Sequence, residues 1–276
     1  MSIGDISLTA GMRANLVALQ NTASLTQSTQ QHLSTGKKVN SALDNPLEYF
    51  ASQNMITQAN TLASYNDGMS NAIQTIQAAN QGITGIESLV QQAQSLAQSA
   101  MATTNTTSQA NLATQYSSLM TQIDNMAGDS GFQGTNLIGT TSVTLTVSFG
   151  TGTTDALGIA SQSMTSGSLG INTAATTSAT SGWANASTVL SSCTAAMTTL
   201  QGASQTLSSS LSVIQTRQSF STGMINVLQT GSDNLVLADT NQEGANMLML
   251  QTRQSLGTTS LSLASQSAQS VLKLFG

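Results

Sequence analysis

The two ends of this chain carry the same helical signal. Thr9, Met12, Leu16, Leu19, Ala23, Thr26, Gln30 and Leu33 step by threes and fours, and so do Met247, Leu250, Gln254, Gly257, Leu261, Ala264, Ala268, Val271 and Phe275. Such spacing puts a narrow stripe on one side of a helix, and that stripe must be buried against another helix. Chain ends are ordinarily the loosest part of a domain. Ends this regular imply that the termini pair with each other or with copies of the chain. The pattern assigns Met12, Leu16, Leu19 and Leu33 to a seam with Leu250, Leu261, Ala264, Val271 and Phe275. Each buried Leu-sized side chain would contribute about 1.5–3 kcal/mol.

Composition narrows what those helices can build. Only 6% of the 276 residues are charged and 3% aromatic. Leu, Ile, Val and Phe make about a fifth of the chain, near the level where a thick core becomes doubtful. A net charge of −5 is too small to mark the chain as disordered. The expectation is long, thin helical packing with small contact residues.

No Lys or Arg lies between Lys38 and Arg217, so nucleic-acid binding, which needs clustered cations, is excluded. No run of 18 apolar residues exists, so membrane insertion is not expected. The start, Met1-Ser2-Ile3-Gly4-Asp5, has neither a basic nor an apolar leader segment, so no cleavable secretory signal is expected. Cys193 is alone, which excludes an internal disulfide, and it falls on an apolar stripe as a small buried side chain.

Along the chain, the pattern predicts a helix over about 5–34, a bend from Thr35-Gly36 to Asn45, and a new helix from Pro46 with Asp44 or Asn45 as its cap. The second helix holds the longest stripe: Leu62, Tyr65, Met69, Ala72, Ile76, Ala79, Ile83, Ile86, Val90, Ala93, Ala97 and Ala100. The polar stretch Thr103–Ser108 breaks it, and a third helix follows through Leu112, Tyr116, Leu119, Ile123 and Met126. Residues 132–182 are rich in Gly, Thr and Ser. There Val143, Leu145 and Val147 alternate as a short strand, and Gly150–Thr154 reads as a turn. Helical spacing returns from about Ala184 through Leu190, Cys193, Met197, Leu200, Leu207, Leu211, Ile214, Ile225 and Leu228, with Gly231 marking a bend before the last helix. The fold class is therefore mainly α: a long antiparallel helical bundle, its N- and C-terminal helices paired, with a small β-hairpin region at the turn.

Catalytic templates fail. Gly150-Thr151-Gly152 lacks the third glycine of a dinucleotide loop, and Ser34-Thr35-Gly36-Lys37-Lys38 lacks the first glycine and the final hydroxyl of a phosphate loop. One His and one Cys cannot make a zinc pair, and His32 on a polar helix face reads as a solvated side chain. No enzyme activity, metal or cofactor is expected.

Five segments together carry a family resemblance. His32-Leu33-Ser34-Thr35-Gly36-Lys37-Lys38-Val39-Asn40-Ser41-Ala42-Leu43-Asp44 resembles the bacterial flagellin segment Arg-Leu-Ser-Ser-Gly-x-Arg-Ile-Asn-Ser-Ala-x-Asp. Asn66-Asp67-Gly68-Met69-Ser70 resembles its Asn-Asp-Gly-Ile-Ser. Phe132-Gln133-Gly134-Thr135-Asn136-Leu137 is similar to its Phe-Asn-Gly-x-x-Leu. Asp239 and Glu243 are similar to an acidic pair in the C-terminal helix, and Ser270-Val271-Leu272-Lys273-Leu274-Phe275 to the family ending. The resemblance covers about 1–140 and 184–276.

It implies a filament subunit for swimming motility, a short form of the kind familiar among the alphaproteobacteria, with a hook–filament junction protein as the alternative. It also implies an inner coiled-coil domain from 1–44 and 234–276, and a helical rod domain from 45–233 with its β region at about 132–182, without further outer domains. The implied partners are other copies of the chain, an export chaperone on the C-terminal helix, and filament cap and junction proteins. The implied location is the extracellular filament. Two departures stand out: His32 replaces an Arg, and Gln91, Gln92 and Gln94 occupy a helix stretch where the family has the arginines contacted by the vertebrate innate receptor.

Overall fold

A computed structural model describes residues 10–150, 152, 155–171, 177–178 and 182–275, with side chains at all of these except 177–178 and 271–275. The expected start of the first helix near residue 5, and part of the Gly150–Thr154 turn, lie outside the described residues. Five helices are described: α1 (Ala10–Thr35), α2 (Pro46–Ala102), α3 (Thr106–Asp129), α4 (Ala186–Val236) and α5 (Thr240–Phe275). Between α3 and α4 lie six short strands: β1 (Gly131–Phe132), β2 (Thr135–Asn136), β3 (Thr144–Ser148), β4 (Ala156–Ala160), β5 (Thr177–Ser178) and β6 (Gly182–Trp183). They pair consecutively as three antiparallel two-stranded sheets. The chain divides into a terminal unit, residues 1–58 with 227–276, and a central unit, residues 59–226.

Helix ends follow from side chains that take up orphan backbone groups. Asn45, not Asp44, caps α2: its Oδ1 accepts from Glu48 N at 3.3 Å, and Pro46 takes the first helical position, where no donor is needed. Asn105 caps α3 by accepting from Ser108 N at 3.0 Å. Gln109 closes the α2–α3 corner: its Nε2 donates to the carbonyls of Ala100 (3.0 Å) and Thr103 (2.7 Å), while its Oε1 accepts from Trp183 N (3.1 Å). Asn136 does the same for α3, donating to Ala127 O and Gly128 O and accepting from Ile138 N and Gly139 N.

In the central unit α2 and α4 run antiparallel. Side-chain bonds Asn66–Thr222, Ser70–Gln218, Asn80–Ser204 and Gln94–Thr194 step in opposite directions along the two helices. Every member of the α2 stripe from Met69 to Ala100 is buried, against Tyr116, Ile123 and Ala127 of α3 and Val189, Cys193, Leu200 and Ile214 of α4. A Cβ at Gly85 would overlap the Met126 sulfur, so glycine is what lets α2 and α3 approach at that level. Alanine and isoleucine thus make a continuous core without aromatic bulk, apart from Tyr116 against Trp183 (centroids 5.2 Å apart).

The β1–β2 turn places Gln133 (φ 49°) and Gly134 (φ 79°) both left-handed, the two-residue hairpin geometry that glycine favours. The alternation at 143–147 becomes β3, paired with β4 so that Leu145 faces Ile159 and Val147 faces Leu157. Val147 and Ile159 are buried, and the Arg217 guanidinium lies 5.3 Å over the Phe149 ring just beyond β3.

The expected bend at Gly231 does not occur: α4 runs unbroken to Val236. The glycine serves a close approach instead, since a Cβ there would stand 3.2 Å from the Met55 sulfur. The chain turns at 237–239, where Lys38 N donates to Val236 O (2.8 Å) and Ala238 N to Gly36 O (3.0 Å).

Candidate assembly surfaces

α1 and α5 lie side by side in the terminal unit. Their polarity is antiparallel: His32 meets Glu243, and thirteen residues earlier Leu19 meets Gly257, fourteen residues further on. Asp239 caps α5 by accepting from Asn241 N (2.9 Å) and Gln242 N (3.2 Å), which starts the helix where Glu243 can reach across. The His32 Nδ1 to Glu243 Oε1 distance is 3.0 Å, both side chains being half-buried, so His32 is a tie between helices and not a solvated side chain. A Cβ at Gly257 would stand 2.7 Å from Leu19 Cδ2, so the glycine makes the cleft that Leu19 fills.

The structure rotates half of the expected α1 stripe by one residue. Met12 is buried, and Leu19, Thr26 and Leu33 are half-buried, on the helix side toward α5. Between them stand Asn15, Thr22 and Thr29, while Ala23 and Gln30 are exposed and Leu16 is 39% exposed. Leu16 is therefore outside the seam of this chain. Threonine is tolerated on the inner side because its hydroxyl bonds back along its own helix, as Thr22 does to Ala18 O and Thr26 to Thr22 O (2.8 Å each), leaving the methyl for contact. On α5, Leu250 is buried and Leu261 and Ala264 are half-buried. The side chains of Val271 and Phe275 lie outside the described residues.

A second apolar stripe went unread in the sequence. Met249, Leu256 and Leu263 repeat every seven residues on α5, with Leu248 beside them, and all are 46–67% exposed. Leu43 (96%), Leu47 (80%) and Phe50 (58%) do the same around the start of α2. The loop before them is held by Asp44, whose Oδ2 accepts from Asn40 N and Ser41 N at 2.9 Å each. Those donors hold its carboxyl below the usual carboxylate range.

In the central unit Gln91 and Gln92 are exposed and Gln94 is half-buried, its Nε2 donating to Thr194 Oγ1 at 3.4 Å. Arg217 is the only basic residue of that unit. Among the described residues no helix is long and apolar enough to cross a membrane.

Comparison with known proteins places this chain among relatives of one family. The profile of the bacterial flagellin N-terminal helical region matches residues 6–142. Flagellin FljM of Caulobacter vibrioides is 31% identical over the whole of both chains, and flagellin FljN of the same organism 32% identical over the whole of both. A flagellin of Brucella melitensis is 27% identical over 94% of this chain and 96% of its own. The chain belongs to the bacterial flagellin family, structural proteins that polymerise into the extracellular flagellar filament.

Proposed function

We propose that the terminal unit is the assembling part of this filament subunit and the central unit its self-sufficient rod. The observation that carries this reading is where large apolar side chains stand exposed. Among the described residues, thirteen of the seventeen such side chains lie in the terminal unit, although it is the smaller of the two. Soluble monomers rarely leave so much apolar surface in water, and a helical polymer covers it at every subunit. In domain terms, 1–44 with 234–276 form the inner coiled coil, the adjoining ends of α2 and α4 within 45–58 and 227–233 complete the assembling unit, and the rest of 45–233 is the rod.

The finer partners follow from the same surfaces. The exposed Leu248, Met249, Leu256 and Leu263 stripe of α5 suits an export chaperone that covers the C-terminal helix until the subunit leaves the cell. A chain with one proline and a single cysteine offers few obstacles to threading. Cap and junction proteins meet the ends of the filament. Electron microscopy of the purified full chain tests the reading. Micrometre-long filaments are expected, and short rings or no polymer would overturn it, rings returning the junction-protein alternative.

Gln91, Gln92 and Gln94 make this flagellin a poor agonist of the vertebrate receptor. Glutamine cannot replace the planar, charged fork of arginine at an interface anchor. Loss of one such anchor costs about 2 kcal/mol, or ~30-fold in affinity. A reporter-cell dose response as strong as that of an arginine-bearing flagellin would overturn this.

A further inference from the structure

Helical glycines in this molecule are of two kinds. At Gly82, Gly85, Gly231 and Gly257 a side chain would crowd a neighbour, so packing accounts for them. At Gly68 on α2 and Gly223 on α4 the space a Cβ would take is open, yet glycine inside a helix weakens it relative to alanine. These two lie within a turn of the same level. Asn66 Nδ2 donates to Thr222 Oγ1 (3.1 Å) just before Gly68, and Gln218 Nε2 donates to Ser70 Oγ (2.8 Å) just after it.

The core is thin at this level. No residue from 60 to 68 is buried, and from 215 to 226 only Ser221 is, a polar side chain. Asn66 Oδ1 is itself buried there without a partner. From Met69 to Ala100, in contrast, α2 places a fully covered apolar residue in every turn. Few buried apolar contacts together with softened helices mark the low-stability end of a fold, and glycine is a recognised place for helices to bend.

We propose that the Gly68–Gly223 level is a bend point built into the central unit, where α2 and α4 flex together while their polar cross-links adjust. This rests on the filament reading. Identical copies around a curved polymer sit at different distances from its centre of curvature, so each must differ slightly in shape. A soft level absorbs that difference without disturbing the continuous core beyond it.

Hydrogen exchange and electron microscopy of the full chain test the proposal. In the wild type, amides of 60–68 and 215–226 should exchange faster than those of 83–97. The double variant Gly68→Ala, Gly223→Ala should slow the first group about two- to fivefold and give filaments with less curvature than wild type. Gly202→Ala is the control: its Cβ space is equally open, but buried apolar residues flank it on both sides, Leu200 and Ala203, whereas the nine residues from 60 to 68 include none, so curvature should stay as in wild type. Equal exchange at both levels in the wild type would overturn the proposal. So would unchanged curvature in the double variant, or straightening by the control alone. Loss of filaments in the double variant only would also overturn it, because the glycines would then serve a contact and not a bend. Absence of filaments from the wild type would instead sink the filament reading, and the exchange comparison would still decide the bend.

Discussion

The terminal and central units are built from the same polar-rich alphabet and bury it differently. The central unit closes three helices and a hairpin around Ile76, Ile83, Ile86, Val90, Tyr116, Ile123 and Leu200, each at most 1% exposed. The terminal unit buries little more than Met12, Val39, Leu250 and Val236 of its large apolar side chains, and turns Leu43, Leu47, Leu248 and Leu256 to solvent. Two helices in contact have one shared face. A third element is what converts a stripe into a core. The central unit has that third element in its own chain; under the function proposed above, the terminal unit finds it in other copies.

The strongest way to break this comparison is a pair of substitutions. Leu261→Asp puts a charge into the terminal seam and should abolish filaments, while the melting of the monomer's central unit moves by no more than about 0.5 kcal/mol. Ile86→Ala should do the reverse, destabilising the monomer by about 2–5 kcal/mol through the cavity it leaves, as read by denaturant unfolding. Normal filaments from the first variant, or an unaffected monomer from the second, would remove the distinction.

Limited trypsin digestion of the monomer sharpens it next. Cleavage at Arg13, Lys37, Lys38 and Arg253 should precede cleavage at Arg217, because a seam of Asn15, Thr22 and Thr29 does little to offset the entropy of ordering two long helices. In filaments the same sites should be protected. Monomer ends that survive digestion would show a terminal unit stable by itself.

The smallest effect is in pH. Burial pushes the Cys193 thiol up to about 11 from its ordinary 9.0. Burial, and then the neighbouring Cys193, raises Tyr116, whose hydroxyl donates to Ile171 O. Both groups are neutral when protonated, so the folded central unit holds these protons more tightly than the unfolded chain does. Their contribution is fully present below about pH 9 and is lost as pH rises toward 11 and beyond. The terminal unit has the opposite dependence in the 40–44 turn, since the lowered Asp44 contributes above the ordinary carboxylate value of 3.8 and loses its contribution as pH falls through the depressed one. Thermal melts of wild type and Cys193→Ala between pH 8 and about 11 check the alkaline limb. An equal slope in the two proteins would exclude the thiol as a cause.

How much of this was legible in the sequence depended on how many apolar side chains each helix carries. The α2 stripe from Met69 to Ala100 was readable residue by residue, because ten apolar positions at three–four spacing leave one rotation of the helix that buries them all. The alternation at 143–147 was readable for the same reason, with period two. The family ends were readable from motifs, and the structure supplies their physical content: Asp44 and Asn136 gather backbone donors, and Asp239 caps the helix that brings Glu243 to His32.

What tertiary structure alone decided lies where local preference is nearly balanced. On α1 the step from Leu16 to Asn15 is a rotation of about 100°, and with so few apolar residues the helix itself does not choose between them. The choice is made across the interface, by Gly257 opening a cleft for Leu19 and by Glu243 holding His32. Asp44 and Asn45 are both good caps, and Asp44 was taken by the turn at Asn40 and Ser41, leaving Asn45 for α2. Gly231 is a break by propensity and a contact by packing, because Met55 stands where its side chain would be. Periodicity belongs to the sequence because it is a property of one helix. Rotation, capping and close approach belong to the fold because each is a competition that only a second element can settle.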